Sequence, residues 1–440
     1  MNTEPDGLLG AMIASEALGL TETLVNGAGG CRSRAQIMMH MLDQSYRGEN
    51  WDRMGSSCYS RQSRLPCTFL NGDDIVFGSA GKVSDSMASA RGPDGRGVIL
   101  LDTLGASLIC TDRRSTDPCG SDGAVFVDGD LSGMSFREGF DRTVGTILSS
   151  ADLEEGDDGT VNLLGYGIMD PGWEYGAEEL RSLLSLMDIE VNTIVGCKGN
   201  RDVRRCGTAS LNVMIRPEYC SVTADSLRSL CGTPTLRLDA GAPVGYDSTR
   251  SFVIQVAEAM DRDPAPALDR IDRDMRKVHS ILMENDRIPR GLHGRGMEME
   301  GTSSTVYPLL RWMVEKFGMA PRRIHVTDGA YLDGISGYLS SIGFGDALEG
   351  RPEQDPDVMF CDGIRALEGR LSAAPTSFVE IEVPRGRTMD LMGRCVVGTA
   401  GCRYILDEVF NNATRFRCGQ PTDMDSRRRP CGSSPDVRNR

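Results

Sequence analysis

The residues best suited to chemistry in this 440-residue chain are its 14 cysteines, and Cys31 stands in the most telling setting. It lies in residues 24–34, LVNGAGGCRSR, where an apolar strand end runs into three glycines within four positions and then a thiol at the mouth of the amphipathic segment 36–42. Glycine has no Cβ and tolerates positive φ, so such a turn lets the backbone pass close to a ligand. At a helix N-terminus the unpaired N–H groups and the dipole favour the thiolate, the form that binds a metal. The same turn also serves elsewhere as a plain strand-to-helix corner with a packed cysteine, so the rest of the chain has to decide between the two.

Bulk properties narrow the classes. A chain of this length exceeds one ordinary core, so two or three domains are expected. With 40% hydrophobic and 25% charged residues the composition is globular. The formal charge of -15 and pI near 4.9 argue against a nucleic-acid partner, since phosphate binding draws its affinity from clustered Lys and Arg. No apolar run reaches the roughly 18 residues needed to span a membrane. The opening MNTEPDG is acidic, and the apolar stretch after it carries Glu16 and Glu22, unlike a secretory signal. A cytoplasmic location is expected, with the cysteines as reduced thiols or metal ligands. The cysteine content points to oxygen sensitivity and an anaerobic host.

These thiols must be positioned by an α/β framework. Residues 8–20 read as a helix that leads into the strand feeding the glycine turn. Residues 44–72 are polar and hold Cys58 and Cys67 in a long loop, and DDIVFGSAGKV reads as a strand, IVF, entering a turn and a helix. Lys82 follows a glycine, but the Gly-x4-Gly-Lys-Ser/Thr spacing is missing, so this is no phosphate-binding P-loop. GVILLD at 97–102 is a continuous apolar run, the mark of a buried parallel strand, and the segment holding Cys110 and Cys119 follows it. Strand and helix patterns then alternate through VNLLGYG, EELRSLLSLMDI, VNTIVG, ASLNVMI and LRSLCGTPTLRL, as in a parallel sheet covered by helices. DRIDRDMRKVHSILMEN is a charged amphipathic helix able to bridge domains. YPLLRWMVEKFGM, RRIHVTDG, PDVMFCDG, TSFVEIEVP and GTAGCRYILDEVFNNAT supply the last helices and strands, with TSFVEIEVP read as a strand by its alternation. From Arg417 on, apolar content nearly vanishes and disorder is expected.

In this order the motifs resemble those of the nitrogenase component 1 family of oxidoreductases. GAGGC is similar to the family's Gly-x-x-Gly-Cys turn, and DDIVFGSAGK to its Asp-Ile-Val-Phe-Gly-Gly segment. LCGTPTLRLDAGAPVGYDSTRSFVIQVAEAM and VPRGRTMDLMGRCVVGTAGCRYILDEVFN resemble later family segments. The likeness spans roughly residues 8–416 and is weakest between 270 and 320. It implies three Rossmann-like α/β domains with parallel sheets, drawn here as 1–155, 156–268 and 269–416, with a tail at 417–440.

The resemblance also implies an iron–sulfur cluster of the 4Fe–4S type at a subunit interface, in a homodimer or a heterodimer with a paralogous subunit. Electrons would come from a separate ATP-hydrolysing iron protein, which fits the missing P-loop. Cys31 takes the family's first ligand position, and Cys58, Cys67, Cys110 and Cys119 are the further candidates. Leu104 occupies the place of a family cysteine, so a standard ligand set requires a substitute such as Cys110 or Cys119. Cys220, Cys231, Cys361, Cys395 and Cys402 lie in apolar segments and read as core. Neither Cys197 nor His279, His293 or His325 sits in a family-like anchoring motif, which argues against the large nitrogenase cofactor. The expected activity is reduction of a small-molecule or tetrapyrrole substrate in an interdomain cleft, not dinitrogen reduction. The alternatives are a non-catalytic scaffold for metallocluster or tetrapyrrole assembly and a cluster-less regulatory or binding subunit.

Overall fold

The computed structural model describes residues 5–42, 65–91, 97–109, 123–197, 203–284, 291–348, 350, 356–372, 376–386 and 392–419. In chain order it begins α1 (Gly7–Leu18), β1 (Thr21–Asn26), α2 (Gly29–Leu42), α3 (Gly72–Phe77), α4 (Ala80–Ala90), β2 (Gly97–Asp102), α5 (Leu104–Ile109), β3 (Ala124–Phe126) and α6 (Phe136–Ser150). The middle holds β4 (Val161–Leu164), α7 (Trp173–Ser185), β5 (Val191–Val195), β6 (Leu211–Met214), α8 (Ser221–Cys231), β7 (Thr235–Arg237), α9 (Tyr246–Ala259) and α10 (Ala265–Glu284). It ends with β8 (Gly296–Gly301), α11 (Ser303–Phe317), β9 (Ala320–Val326), α12 (Leu332–Ser341), β10 (Val358–Asp362), α13 (Gly363–Leu371), β11 (Ser377–Glu382) and α14 (Gly398–Gly419).

The strands form three parallel sheets, ordered β1-β2-β3, β5-β4-β6-β7 and β9-β8-β10-β11. The second and third share one topology: the first strand is internal, the second lies to one side, and the third and fourth lie to the other. In such sheets the crevice opens at the carboxyl ends of the strands where the winding reverses, here beside β4 and β6 and beside β8 and β10. One continuous apolar cluster runs through all three sheets, so the units are packed on one another.

Several local choices fix this packing. Helix α1 is buried nearly all round, capped by the Asp6 carboxylate accepting from Leu9 N–H and closed by Gly19 at φ 64°. It crosses α6 through glycines: a Cβ on Gly10 would stand 2.0 Å from the Phe136 carbonyl oxygen. The α6 residue Asp141 reaches the second unit, accepting from the N–H groups of Val222 at 2.8 Å and Thr223 at 2.9 Å. Helix α10 does join separate parts, since Arg270 binds Glu179 of α7 at 2.5 Å and Asp274 accepts from Thr399 of α14 at 2.6 Å. Among the described residues no helix is long and apolar enough to cross a membrane.

The structure corrects the sequence reading in places. The IVF run lies in helix α3, not a strand, because Asn71 and Asp74 form a reciprocal capping box that starts a helix there. Strand β8, GMEMEG, was hidden by its glutamates; Glu298 is buried and faces Arg323 of β9 at 3.6 Å. β11 is buried on both faces instead of alternating. Helix α14 runs to Gly419, three residues into the stretch read as tail.

Candidate functional site

The carboxyl rim of the first sheet gathers the thiols. Residues 66–70 run beside the end of β1: Val25 donates to the Pro66 carbonyl, Thr68 N–H to the Val25 carbonyl at 3.1 Å and Leu70 N–H to the Gly27 carbonyl at 2.9 Å. Thr68 Oγ1 donates to Asn26 Oδ1 at 2.9 Å and accepts from Gly27 N–H at 3.0 Å, while Asn26 Nδ2 reaches Asp102 at the end of β2 at 2.7 Å. Close approach explains Gly27 and, against the Phe69 ring, Gly29, whereas Gly30 faces open space. A Cβ on Gly27 would lie 2.4 Å from Thr103 Oγ1, and none of Gly27, Gly29 and Gly30 is among the glycines with positive φ.

Helix α2 begins at Gly29, so Cys31 lies inside its first turn, where its thiol is exposed. Cys67 is buried beside it, donating from Sγ to the Gly27 carbonyl at 3.2 Å and accepting from Phe69 N–H at 3.4 Å. Burial pushes the Cys67 thiol up, opposed by the Phe69 N–H and by Arg32 and Lys82, and the nearby Cys31 adds to the rise. A thiol in that state becomes a good ligand only when a cation takes the place of its proton.

Large apolar side chains are bare at Phe69 and on α3 and α5. Phe69, Ile75, Val76 and Leu104 are exposed, with Phe77 at 84% and Leu108 at 76%. Lys82 bridges the Phe69 carbonyl at 2.8 Å and Asp74 at 2.7 Å, so it ties α3 to Phe69. Large apolar side chains left bare in this number are candidates for a surface that another body covers.

A second constellation fills the seam where the carboxyl ends of the second and third sheets face each other. Arg216, just past β6, binds Asp170 at 2.5 Å and Glu382 at 3.4 Å, donates from Nε to the Gly165 carbonyl at 3.0 Å and stacks on Tyr219. All three charged residues are buried. Burial, outweighing the pull of Arg216, raises the Asp170 carboxyl to about 6, and its carboxylate neighbours push the Arg216 guanidinium above its ordinary range despite burial. Glu382 also accepts from Thr302 N–H at 3.1 Å and its hydroxyl at 2.7 Å, at the start of α11. The first unit joins the seam through Arg137, whose guanidinium donates to Thr327 Oγ1 at 2.8 Å.

Residues 7–333 match the family model described as nitrogenase component 1 type oxidoreductase. The chain belongs to that family. The fold of this component 1 type chain is similar to solved structures of nitrogenase Cp1. At pH 6.5 the TM-score is 0.74 at 16% identity, covering 96% of this chain and 95% of that one. At pH 5 it is 0.63 at 13% identity, covering 95% and 90%. Among curated proteins it is similar to the B-type polypeptide of light-independent protochlorophyllide reductase from Jannaschia sp. (strain CCS1), 29% identical over 132 residues, 29% of this chain and 25% of the relative. The same polypeptide from Methylobacterium radiotolerans is 33% identical over 115 residues, 25% of this chain and 21% of the relative. The match thus spans about a quarter of these relatives' length.

In this component 1 type chain Cys31 and Cys67 come together on one rim, and Leu104 stands exposed on the same rim at the end of β2. Cys58, Cys110 and Cys119 lie outside the described residues. Cys197, Cys220, Cys361, Cys395 and Cys402 are buried, and Cys231 is half-buried. Sequence reasoning missed the Asp170, Arg216 and Glu382 seam. Its signal was present in MIRPEY and EIEVP, where charges directly follow or interrupt apolar strands.

Proposed function

We propose that this chain is a subunit of a nitrogenase-like iron–sulfur oxidoreductase that does not reduce dinitrogen. In this reading a 4Fe–4S cluster sits at the Cys31 rim, shared with a second copy or a paralogous subunit that covers the Phe77 and Leu108 face. A separate ATP-hydrolysing iron protein delivers the electrons, and the substrate is an organic molecule of the tetrapyrrole kind in an interdomain cleft. Protochlorophyllide, which the matched relatives' name specifies for them, exemplifies that class.

The observation that carries this reading is an exposed thiol and a buried thiol on one strand-end rim, close enough for the first to act on the charge of the second, with large apolar side chains exposed at Phe69 and on the neighbouring chain segments α3 and α5. Thiolates are the usual ligands of such clusters. The donor set fits in kind and is partial in number: among the described residues no group of three or more His, Cys, Asp or Glu is arranged to hold a metal. Cys31 and Cys67 would therefore supply part of the set, with Cys58, Cys110, Cys119 or the covering subunit supplying the rest. When bound, the cluster would supply one-electron transfer. The chain's own contribution is to hold the Cys67 thiol through the Gly27 and Phe69 backbone contacts and to present Cys31 from the first turn of α2.

One feature favours a second reading. Leu104, exposed after the end of β2 where the family resemblance puts a thiol, suits a cluster-less binding subunit or an assembly scaffold. Purification without oxygen, followed by iron and acid-labile sulfide analysis and EPR of the reduced protein with its partner, tests between them. A colourless protein that resists reconstitution would sink the oxidoreductase reading. Turnover with an iron protein and ATP then separates a reductase from a scaffold.

A further inference from the structure

We propose that the seam between the second and third sheets is a proton-operated latch in which the carboxyl of Glu218 carries the proton. The latch stands apart from any cluster at the Cys31 rim. Glu218 lies in the short 3-10 turn Pro217–Tyr219 just past β6. Its Oε1 accepts from the Ser304 hydroxyl of α11, whereas its Oε2 is buried with no hydrogen-bond partner among the described residues. That contact is one of the direct links between the two sheets, beside Arg216 to Glu382 and Ala242 N–H to the Ser304 carbonyl at 2.9 Å.

Three carboxylates from three elements crowd the first turn of α11. Glu382 takes Thr302, Asp328 takes Ser303 through its N–H at 2.8 Å and its hydroxyl, and Glu218 takes Ser304. A helix N-terminus favours negative charge, but its effect is confined to that first turn and is shared here. Arg216 is in direct contact with Asp170 and Glu382, so Glu218 feels it only through space. The other charged or titratable groups near Glu218 are Asp328 beyond β9, Tyr331 before α12, Cys220 before α8, and Tyr219 and Arg237, which neighbour Arg216 and Tyr331.

Burial first, and then the charge of Asp328, raise the Glu218 carboxyl from 4.5 to about 7. The closed seam therefore prefers the protonated form, while an opened seam returns Glu218 to water and its ordinary value. Closure takes up a proton between those two values, so the seam loosens as pH rises through that window and levels off above about pH 7. Such a difference changes the closed-to-open equilibrium by on the order of a hundredfold. Asp170 titrates in the same direction near 6, which the test must separate.

Amide hydrogen exchange, corrected for its intrinsic pH dependence, is followed on the full chain in peptides covering residues 238–245 and 300–310. Between about pH 6, inside that window, and about pH 8.5, above it, the wild type should show opening about tenfold more frequent at the higher value. Glu218→Gln should stay closed at both, and Asp328→Asn should move the wild-type midpoint to lower pH. A Glu218→Gln protein that keeps the wild-type response, or an Asp170→Asn protein that alone abolishes it, overturns the proposal. Should Glu218→Gln not fold, an unmoved midpoint in Asp328→Asn overturns it equally.

Discussion

Replacing Arg216 by methionine tests the energetics of the seam most directly. Methionine keeps much of the aliphatic stem and removes the guanidinium that lies over Tyr219 and binds Asp170 at 2.5 Å, Glu382 at 3.4 Å and the Gly165 carbonyl at 3.0 Å. Both carboxylates are nearly inaccessible, at 5% exposure for Asp170 and 7% for Glu382, so they are left charged without a counter-ion. Breaking a buried pair from one side costs about 3–5 kcal/mol, a large part of the ~5–15 kcal/mol that holds a domain together. Protonation limits the loss. Asp170 already sits near 6 with its arginine in place, and without it that carboxyl moves higher, so the deficit should be largest at about pH 8 and shrink toward about pH 5.5. Urea unfolding at those two values measures it. The triple variant Arg216→Met, Asp170→Asn, Glu382→Gln should recover most of the loss, since neutral isosteres remove the unpaired charge and the glutamine oxygen can still accept from Thr302. A single variant within about 1 kcal/mol of wild type at the higher pH, or a triple variant no better than the single, would refute the reasoning.

Cys31→Ser should abolish or alter the EPR signal of a reconstituted protein while leaving its folding transition unchanged, because the thiol is exposed; Cys361→Ser, at a buried position, should leave the signal intact. Phe77→Glu with Leu108→Glu should weaken self-association or capture of a paralogous subunit in analytical ultracentrifugation, and an unchanged assembly would show that this face is not the covered one. Gly10→Ala forces a methyl into the Phe136 carbonyl and should cost about 2–3 kcal/mol in urea unfolding, whereas Gly19→Ala is governed only by its left-handed φ and should cost about 1. Asp141→Ala strips the acceptor from two N–H groups at the start of α8 and should cost about 1–2 kcal/mol, with Asp141→Asn losing less.

The parallel α/β class and the order of its motifs were legible in the chain because buried parallel strands are written as apolar runs and glycine corners. GVILLD, VNLLGYG and VNTIVG each became a strand for that reason. GMEMEG was not legible, since the glutamates that hide the strand are answered by Arg323 and Arg365 from distant positions. IVF misled for the opposite reason: its apolar residues are exposed on α3 instead of buried in a sheet.

The chain alone supplied Cys31 in a glycine corner, the missing P-loop and the leucine at position 104. Only tertiary structure decided that Cys67, 36 positions away, reaches the same rim as Cys31, because the pairing of residues 66–70 with β1 brings it there. It also revealed Asp170, Arg216, Glu218 and Glu382 as one charged seam. Contacts across such separations depend on how the sheets dock, and charge compensation between them leaves no periodicity in either local stretch.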